Sequence, residues 1–443
     1  MKSKCLISVG ALPLIQSLHA AVLFPQLQHP MVLPPDVSLS RAVDAINALQ
    51  SFYNQTTGLW DSTGWWNSGN CLTVYAEYVA FNPPVRDNGL NILGNTFEQA
   101  QSFNVPYNSV VSPQRLFVMN EQFIEVPGRN KTKRDDQGAA VEINKSSQSS
   151  QSAQSQYPGG VDMPQAQSFP GFINDFYDDE GWWALGWLQA WEASGRTEAR
   201  YLSTTEAIFE DIAQAWSNGD TNSTSCEGIW WDRKRTAINA IENELFISLA
   251  ASLANRVPEK KDYYLGWAQK TWKWFQGTGM INKYNTINDG IDLATCRTNG
   301  LTAWTYNQGV ILGGLIELNK AAPDDNLLKV ANDIAEAAIV RFTEGDSGIL
   351  QEMCDPYCGR DGQQFKGIFI RNLYKLWVET GKPRYLEIIQ KNAESIYTSD
   401  RGPGNVFGPD WSGPFLDQQA NAGTHSSASD AVVAAAMAAG LPS

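Results

Sequence analysis

Three acids stand in succession at Asp178, Asp179 and Glu180, preceded by Phe176-Tyr177 and followed by Gly181-Trp182-Trp183. Acids at the start of a helix are often there only to satisfy free backbone N–H groups and the helix dipole. Crowding by aromatics adds a second possibility. A carboxyl packed among Trp and Tyr beside another carboxylate has its pKa raised, as a general acid requires, while a partner held ionised by backbone donors can attack. Neighbouring residues can bring their carboxyls to about 5 Å, the separation of a retaining glycosidase; an inverting one needs about 6.5–9.5 Å. The chemistry on offer is displacement at a sugar carbon.

Other polar-aromatic clusters recur along the chain: Trp65-Trp66-Asn67, Gly228-Ile229-Trp230-Trp231-Asp232, Trp304-Thr305-Tyr306-Asn307-Gln308, and Asp361-Gly362-Gln363-Gln364-Phe365-Lys366. One such cluster would be a helix cap with an apolar first turn. Five in total, each at the start of an alternate helix, are hard to explain as caps alone. Trp65, Trp66, Tyr177, Trp182, Trp183, Trp230, Trp231, Trp304, Tyr306 and Phe365 are candidates to stack on pyranose rings. Asp232, Asn243, Asn307, Gln308, Asp361 and Lys366 are candidates to hydrogen-bond hydroxyls, although each alone is a common structural residue. Trp187, Trp191, Trp216, Trp267, Trp272, Trp274 and Trp377 lie within helices and read as packing.

The elements that must position these clusters follow a 3.6-residue period. It predicts helices near 38–53, 66–81, 88–104, 180–194, 198–217, 235–256, 260–277, 301–320, 324–342, 362–380, 383–398 and 421–439. β-Branched alternation is scarce, so no sheet is required. The links leaving even-numbered helices are short, as at Asn82–Asp87 and Thr380–Pro383, and those entering them are long and rich in Trp, Asn, Asp and Gly. Short turns at one end and long loops at the other describe six helical hairpins in a ring, an all-α (α/α)6 barrel whose long loops surround a pocket.

The 443 residues are 43% hydrophobic and 18% charged, enough to bury a large core. A net charge of −14 argues against nucleic acid as a partner. Sixteen tryptophans exceed what a core needs. Lys2 and Lys4 followed by the apolar run from Cys5 to Ile15 read as a signal peptide over 1–20, with 21–443 forming one catalytic domain. No segment is long enough to span a membrane, and Ala431–Ala439 reads as a closing helix, not an anchor tail. A Ser/Gln-rich stretch near 128–165 reads as a flexible insertion. After the leader, Cys71, Cys226, Cys296, Cys354 and Cys358 remain; two bridges, 354–358 and 226–296, leave Cys71 free. Sequons stand at Asn54, Asn130, Asn144 and Asn222. No Cys/His spacing suggests a metal, and no cofactor is expected.

The run YDDEGWWALGWLQAW, with GIWWD and WTYNQG downstream, resembles glycoside hydrolase family 76, the endo-α-1,6-mannanases. The resemblance runs from about residue 38 to the C-terminal helix, apart from 105–168. It implies an (α/α)6 barrel and cleavage of internal α-1,6-mannosidic bonds with retention, with Asp178 as nucleophile and Asp179 as acid/base. α-1,6-Mannan or a mannooligosaccharide is then the partner, and a secreted, extracellular or cell-wall monomer is expected, in the style of a fungal glycoprotein. Fungal members thought to act as cell-wall transglycosidases on mannose-containing glycans offer an alternative. A catalytically silent mannan-binding protein is a third, which would leave the Asp pair without a purpose.

Overall fold

The computed structural model describes residues 33–103, 171–219, 225–343, 345 and 347–440. The leader over 1–20, the insertion near 128–165 and the sequons at Asn130, Asn144 and Asn222 lie outside them. Twelve long helices occur among the described residues: α1 (Pro35–Gln50), α2 (Trp65–Phe81), α3 (Arg86–Ala100), α4 (Tyr177–Ala193), α5 (Ala199–Gln214), α6 (Ala240–Arg256), α7 (Lys261–Thr278), α8 (Thr305–Ala321), α9 (Asp325–Phe342), α10 (Phe365–Thr380), α11 (Pro383–Ser399) and α12 (Ala422–Gly440).

The even-numbered helices pack side by side in the order α2, α4, α6, α8, α10, α12 and back to α2, closing a ring. The odd-numbered helices lie outside: α3, α5, α7 and α9 each pack against the inner helix that precedes them, α11 rests on both α10 and α12, and α1 packs on α12. The two sets differ in sequence as their places demand. α11 buries Tyr385, Ile388, Ile389, Asn392, Ala393 and Ile396, a single stripe at steps of one and three. α6 is buried on every face from Ala240 to Ala254. Glycine lets the inner helices close on one another: a Cβ at Gly309 of α8 would lie 2.6 Å from the Phe369 Cα of α10.

Buried polar pairs fix the register where apolar packing alone would not. Gln364, just before α10, accepts from the Asn67 amide of α2 at 2.7 Å and donates to Ser426 Oγ of α12 at 2.7 Å. Arg371 of α10 pairs with Asp430 of α12 at 3.4 Å.

The structure corrects three predicted spans. The helix predicted to run through 217 ends at Gln214, because Trp216–Asn218 pairs instead with Glu227–Ile229. That ribbon, with Tyr53–Asn54/Leu59–Trp60 and Ile291–Asp292/Arg297–Thr298, gives three two-stranded hairpins among the described residues, where no sheet was required. The helix predicted from 235 starts at Ala240, where Asn239 and Glu242 form a capping box. The one predicted from 301 starts at Thr305, because Trp304 is extended (φ −107°, ψ 152°). All three hairpins sit in the long loops. Cys226–Cys296 and Cys354–Cys358 are bonded, and Cys71 is free and buried. Among the described residues no helix is long and apolar enough to cross a membrane.

Candidate active site

The N-terminal ends of the inner helices share one face of the ring. There a second apolar cluster stands apart from the main core, built from Trp182, Ile241, Leu245, Trp304, Tyr306, Val310, Phe365 and Ile368, with Trp66 packed against it. Its aromatics form a continuous floor. Trp66 stacks on Trp182 with centroids 5.6 Å apart, Trp182 on Tyr306 at 6.4 Å, and Tyr306 on Phe365 at 3.8 Å; Trp304 meets Phe365 edge-on at 5.8 Å. The Trp66 indole donates to Asp361 Oδ1 at 3.1 Å, tying the floor to a carboxylate.

Asp178 and Asp179 lie in the first turn of α4, which begins after Phe176 with no side-chain cap. Neither Asp is the cap residue itself, although first-turn amides still meet the Asp178 carboxyl. Backbone pairing places a second motif beside them. Tyr177 N donates to Trp231 O at 3.0 Å, Arg233 N donates to Asp175 O at 3.0 Å, and Phe176 and Asp232 bridge. The Trp231 indole is thereby brought next to Asp178.

Burial pushes the Asp178 carboxyl up to about 7; the Trp231 indole and the first-turn amides oppose the rise, and Asp361 adds to it. Asp179 is raised well above its usual range, by burial first and then by the neighbouring Asp178 charge, against a hydrogen bond from Asn174. The pair therefore favours one shared negative charge, held more readily by Asp178, which has the indole and the amides about it. Glu242 is also raised, by burial and by Asp178. Asp289, pushed up to about 6 by burial, accepts from Tyr306 Oη at 3.4 Å and from Asn307 Nδ2 at 3.3 Å. Among the described residues no group of His, Cys, Asp and Glu could hold a metal ion.

The structure divides the candidates. Trp66, Trp182, Trp231, Trp304, Tyr306, Asn307, Asp361 and Phe365 gather around the pair or its aromatic floor. Others are engaged elsewhere, which corrects the expectation that all line the cleft. Trp183 and Trp230 are enclosed in the main core, and Trp65 packs on Trp183 at 5.4 Å. The Asp232 carboxylate closes a turn by accepting from Thr236 N and Oγ1, both at 2.8 Å. Asn243 pairs with the Ile229 backbone, and Gln308 with the backbone of Ile287 and Trp304. Lys366, 1% exposed, is held by Asp355 at 2.5 Å and Pro409 O at 2.6 Å. Tyr177 lies under the Arg233 guanidinium at 4.9 Å. Sequence reasoning missed Asn174, Arg233 and Asp289. Asn174 stands four residues before Asp178, near enough to have been considered, whereas nothing local marks Asp289 as a partner of Tyr306.

The sequence profile described as Glycosyl hydrolase family 76 matches residues 142–442, more than half of the chain. The chain belongs to this family. Mannan endo-1,6-alpha-mannosidase DFG5 of Candida albicans is 28% identical over 279 residues, covering 58% of this chain and 60% of that protein. Mannan endo-1,6-alpha-mannosidase DCW1 of Saccharomyces cerevisiae is 26% identical over 211 residues, covering 44% and 45%. The matches thus span about half of these relatives' own length. Among family 76 structures, an inactive variant of the α-1,6-mannanase GH76A of Salegentibacter sp. HEL1_6, in complex with α-1,6-mannotriose, superposes with a TM-score of 0.67 at 17% identity, covering 90% of this chain and 99% of that one. Dfg5 from Chaetomium thermophilum, in complex with glucosamine, gives 0.64 at 17%, covering 93% and 92%. At that identity the likeness shows the shared helical barrel.

Proposed function

We propose that this chain is a secreted retaining glycosidase that cleaves internal α-1,6-mannosidic bonds of mannan. The observation that carries the reading is the Asp178-Asp179 pair at the head of α4, beside an aromatic floor in a family 76 barrel. Support comes from the relatives' names and from the Salegentibacter variant, inactive with two consecutive aspartates changed to asparagine. Two bridged cysteine pairs suit an oxidising compartment.

The roles follow from electrostatics. Asp178, the more readily ionised, attacks the anomeric carbon; Asp179, the better proton holder, gives its proton to the departing glycosidic oxygen as the C–O bond breaks. Now ionised, Asp179 takes a proton from water, whose oxygen displaces Asp178 from the mannosyl ester. Two displacements at one carbon leave its configuration unchanged. The half-buried Trp66, stacked on Trp182, supplies a surface for a pyranose ring, and Asp361 an acceptor for its hydroxyls.

Linear α-1,6-mannan tests this. Asp178→Asn should abolish backbone cleavage, and Asp179→Asn should slow it by roughly 10²–10⁴-fold. An Asp178→Asn protein cutting at the wild-type rate would overturn the assignment.

A further inference from the structure

Asn174 sits just before α4, 8% exposed, and every one of its polar atoms has a partner. Its Oδ1 accepts from Phe176 N at 2.8 Å, and its Nδ2 donates to Asp179 Oδ2 at 2.7 Å. A backbone N–H can only donate, so the atom facing Phe176 must be the amide oxygen; the orientation of the amide is fixed by its surroundings. The main chain of Asn174 is held as firmly. Its N–H donates to Glu180 Oε1 at 3.0 Å, and its carbonyl accepts from Arg233 Nε at 2.7 Å. Arg233 in turn reaches Glu180 Oε1 at 2.8 Å and Asp211 Oδ2 at 2.6 Å. Glu180 is fully buried, so this bracket has little freedom to shift.

The consequence falls on Asp179. In a protonated carboxyl the carbonyl oxygen is the better acceptor, so an N–H aimed at Oδ2 selects Oδ2 as the carbonyl and Oδ1 as the hydroxyl. We propose that Asn174 is a positioning residue for Asp179: by donating to Oδ2 it makes Oδ1 the oxygen that carries and delivers the catalytic proton. This rests on the acid/base role proposed for Asp179. The balance is simple. The Oδ1–H bond breaks and an O–H bond forms on the glycosidic oxygen, which keeps the electron pair of its broken bond to the anomeric carbon. Asp179 is left as a carboxylate whose Oδ2 still receives the Asn174 amide, and Oδ1 is free to accept the proton of the incoming water.

Two variants separate positioning from mere structure. Asn174→Asp keeps the acceptor for Phe176 N–H and loses the donor to Asp179; Asn174→Ala loses both. With an α-1,6-mannooligosaccharide, whose leaving group needs a proton, Asn174→Ala should lose about 10–100-fold in kcat/KM, which reports the first displacement. With a dinitrophenyl α-1,6-mannobioside, whose leaving group departs unaided, the loss should stay below about threefold. Asn174→Asp should be slow near neutrality and recover as falling pH protonates the new carboxyl and restores a donor. Equal losses on both substrates for Asn174→Ala, or an Asn174→Asp profile parallel to wild type, would overturn the proposal. Asp179→Ala is assayed beside them: if the activated substrate does not rescue its kcat/KM, which reports only the first displacement, the acid/base reading of Asp179 fails instead.

Discussion

Trp182 and Trp183 are adjacent in the chain and belong to different parts of the molecule. Trp183 is enclosed by Trp65, Phe172 and Trp187 in the main core. Trp183→Ala should therefore destabilise the fold by about 3–5 kcal/mol, measured by urea unfolding. Trp66, half-buried on the floor and bonded to Asp361, carries the opposite expectation. Trp66→Ala should weaken α-1,6-mannotetraose binding by up to about tenfold, the worth of one good aromatic contact, with little change in the unfolding midpoint; calorimetric titration of an inactive Asp178→Asn background reads it. The pH profile belongs to this scale as well. Burial moves Asp178 to about 7, so kcat/KM should rise along an acidic limb well above the usual carboxylate range, governed by ionisation of the nucleophile. A limb near pH 4 would contradict that environment.

At the scale of elements, the alternation of short and long links was legible because each hairpin repeats the same arrangement, and the closed ring of even helices is what it describes. The helix ends were less legible. Nothing near Trp216 announces that it pairs with Ile229 across the loop, so a periodic pattern ran on past Gln214. The candidate site divided for a related reason. A polar or aromatic residue at a helix head can face the ring or turn into a backbone bond, and Asn243 and Gln308 took the second course through partners that spacing does not name; Asp232, in the loop ahead of α6, closes a turn on Thr236 instead. Trp183 went to the core because successive helical positions lie about 100° apart, whereas Trp230 stands outside any helix, directly after the strand Glu227–Ile229 that turns it inward. Close helix approach yields a prediction here. Gly309→Ala would force a methyl against the Phe369 backbone and should cost about 1–3 kcal/mol, read as a lowered melting temperature.

Taken whole, the molecule buries far more acid than base at its loop face and around the ring. Burial raises Asp178, Glu352 and Asp430 to about 7 and Asp400 to about 8. Unfolded, these groups titrate near 4, so between those limits the folded chain binds more protons, and stability falls as pH rises through the folded values. His425, lowered to about 4 by burial, works the other way, but only below its unfolded value near 6.5. Stability to urea should therefore decline from about pH 6 to about pH 8; a flat or rising midpoint would contradict the buried, protonated acids. Retention is the claim on which the rest depends, since it joins the Asp pair, its shared charge and the double displacement. Proton NMR of α-1,6-mannotetraose during its first turnovers reads it directly. The account predicts that the newly formed reducing end appears first as the α-anomer and later mutarotates, whereas a β-anomer appearing first would contradict it.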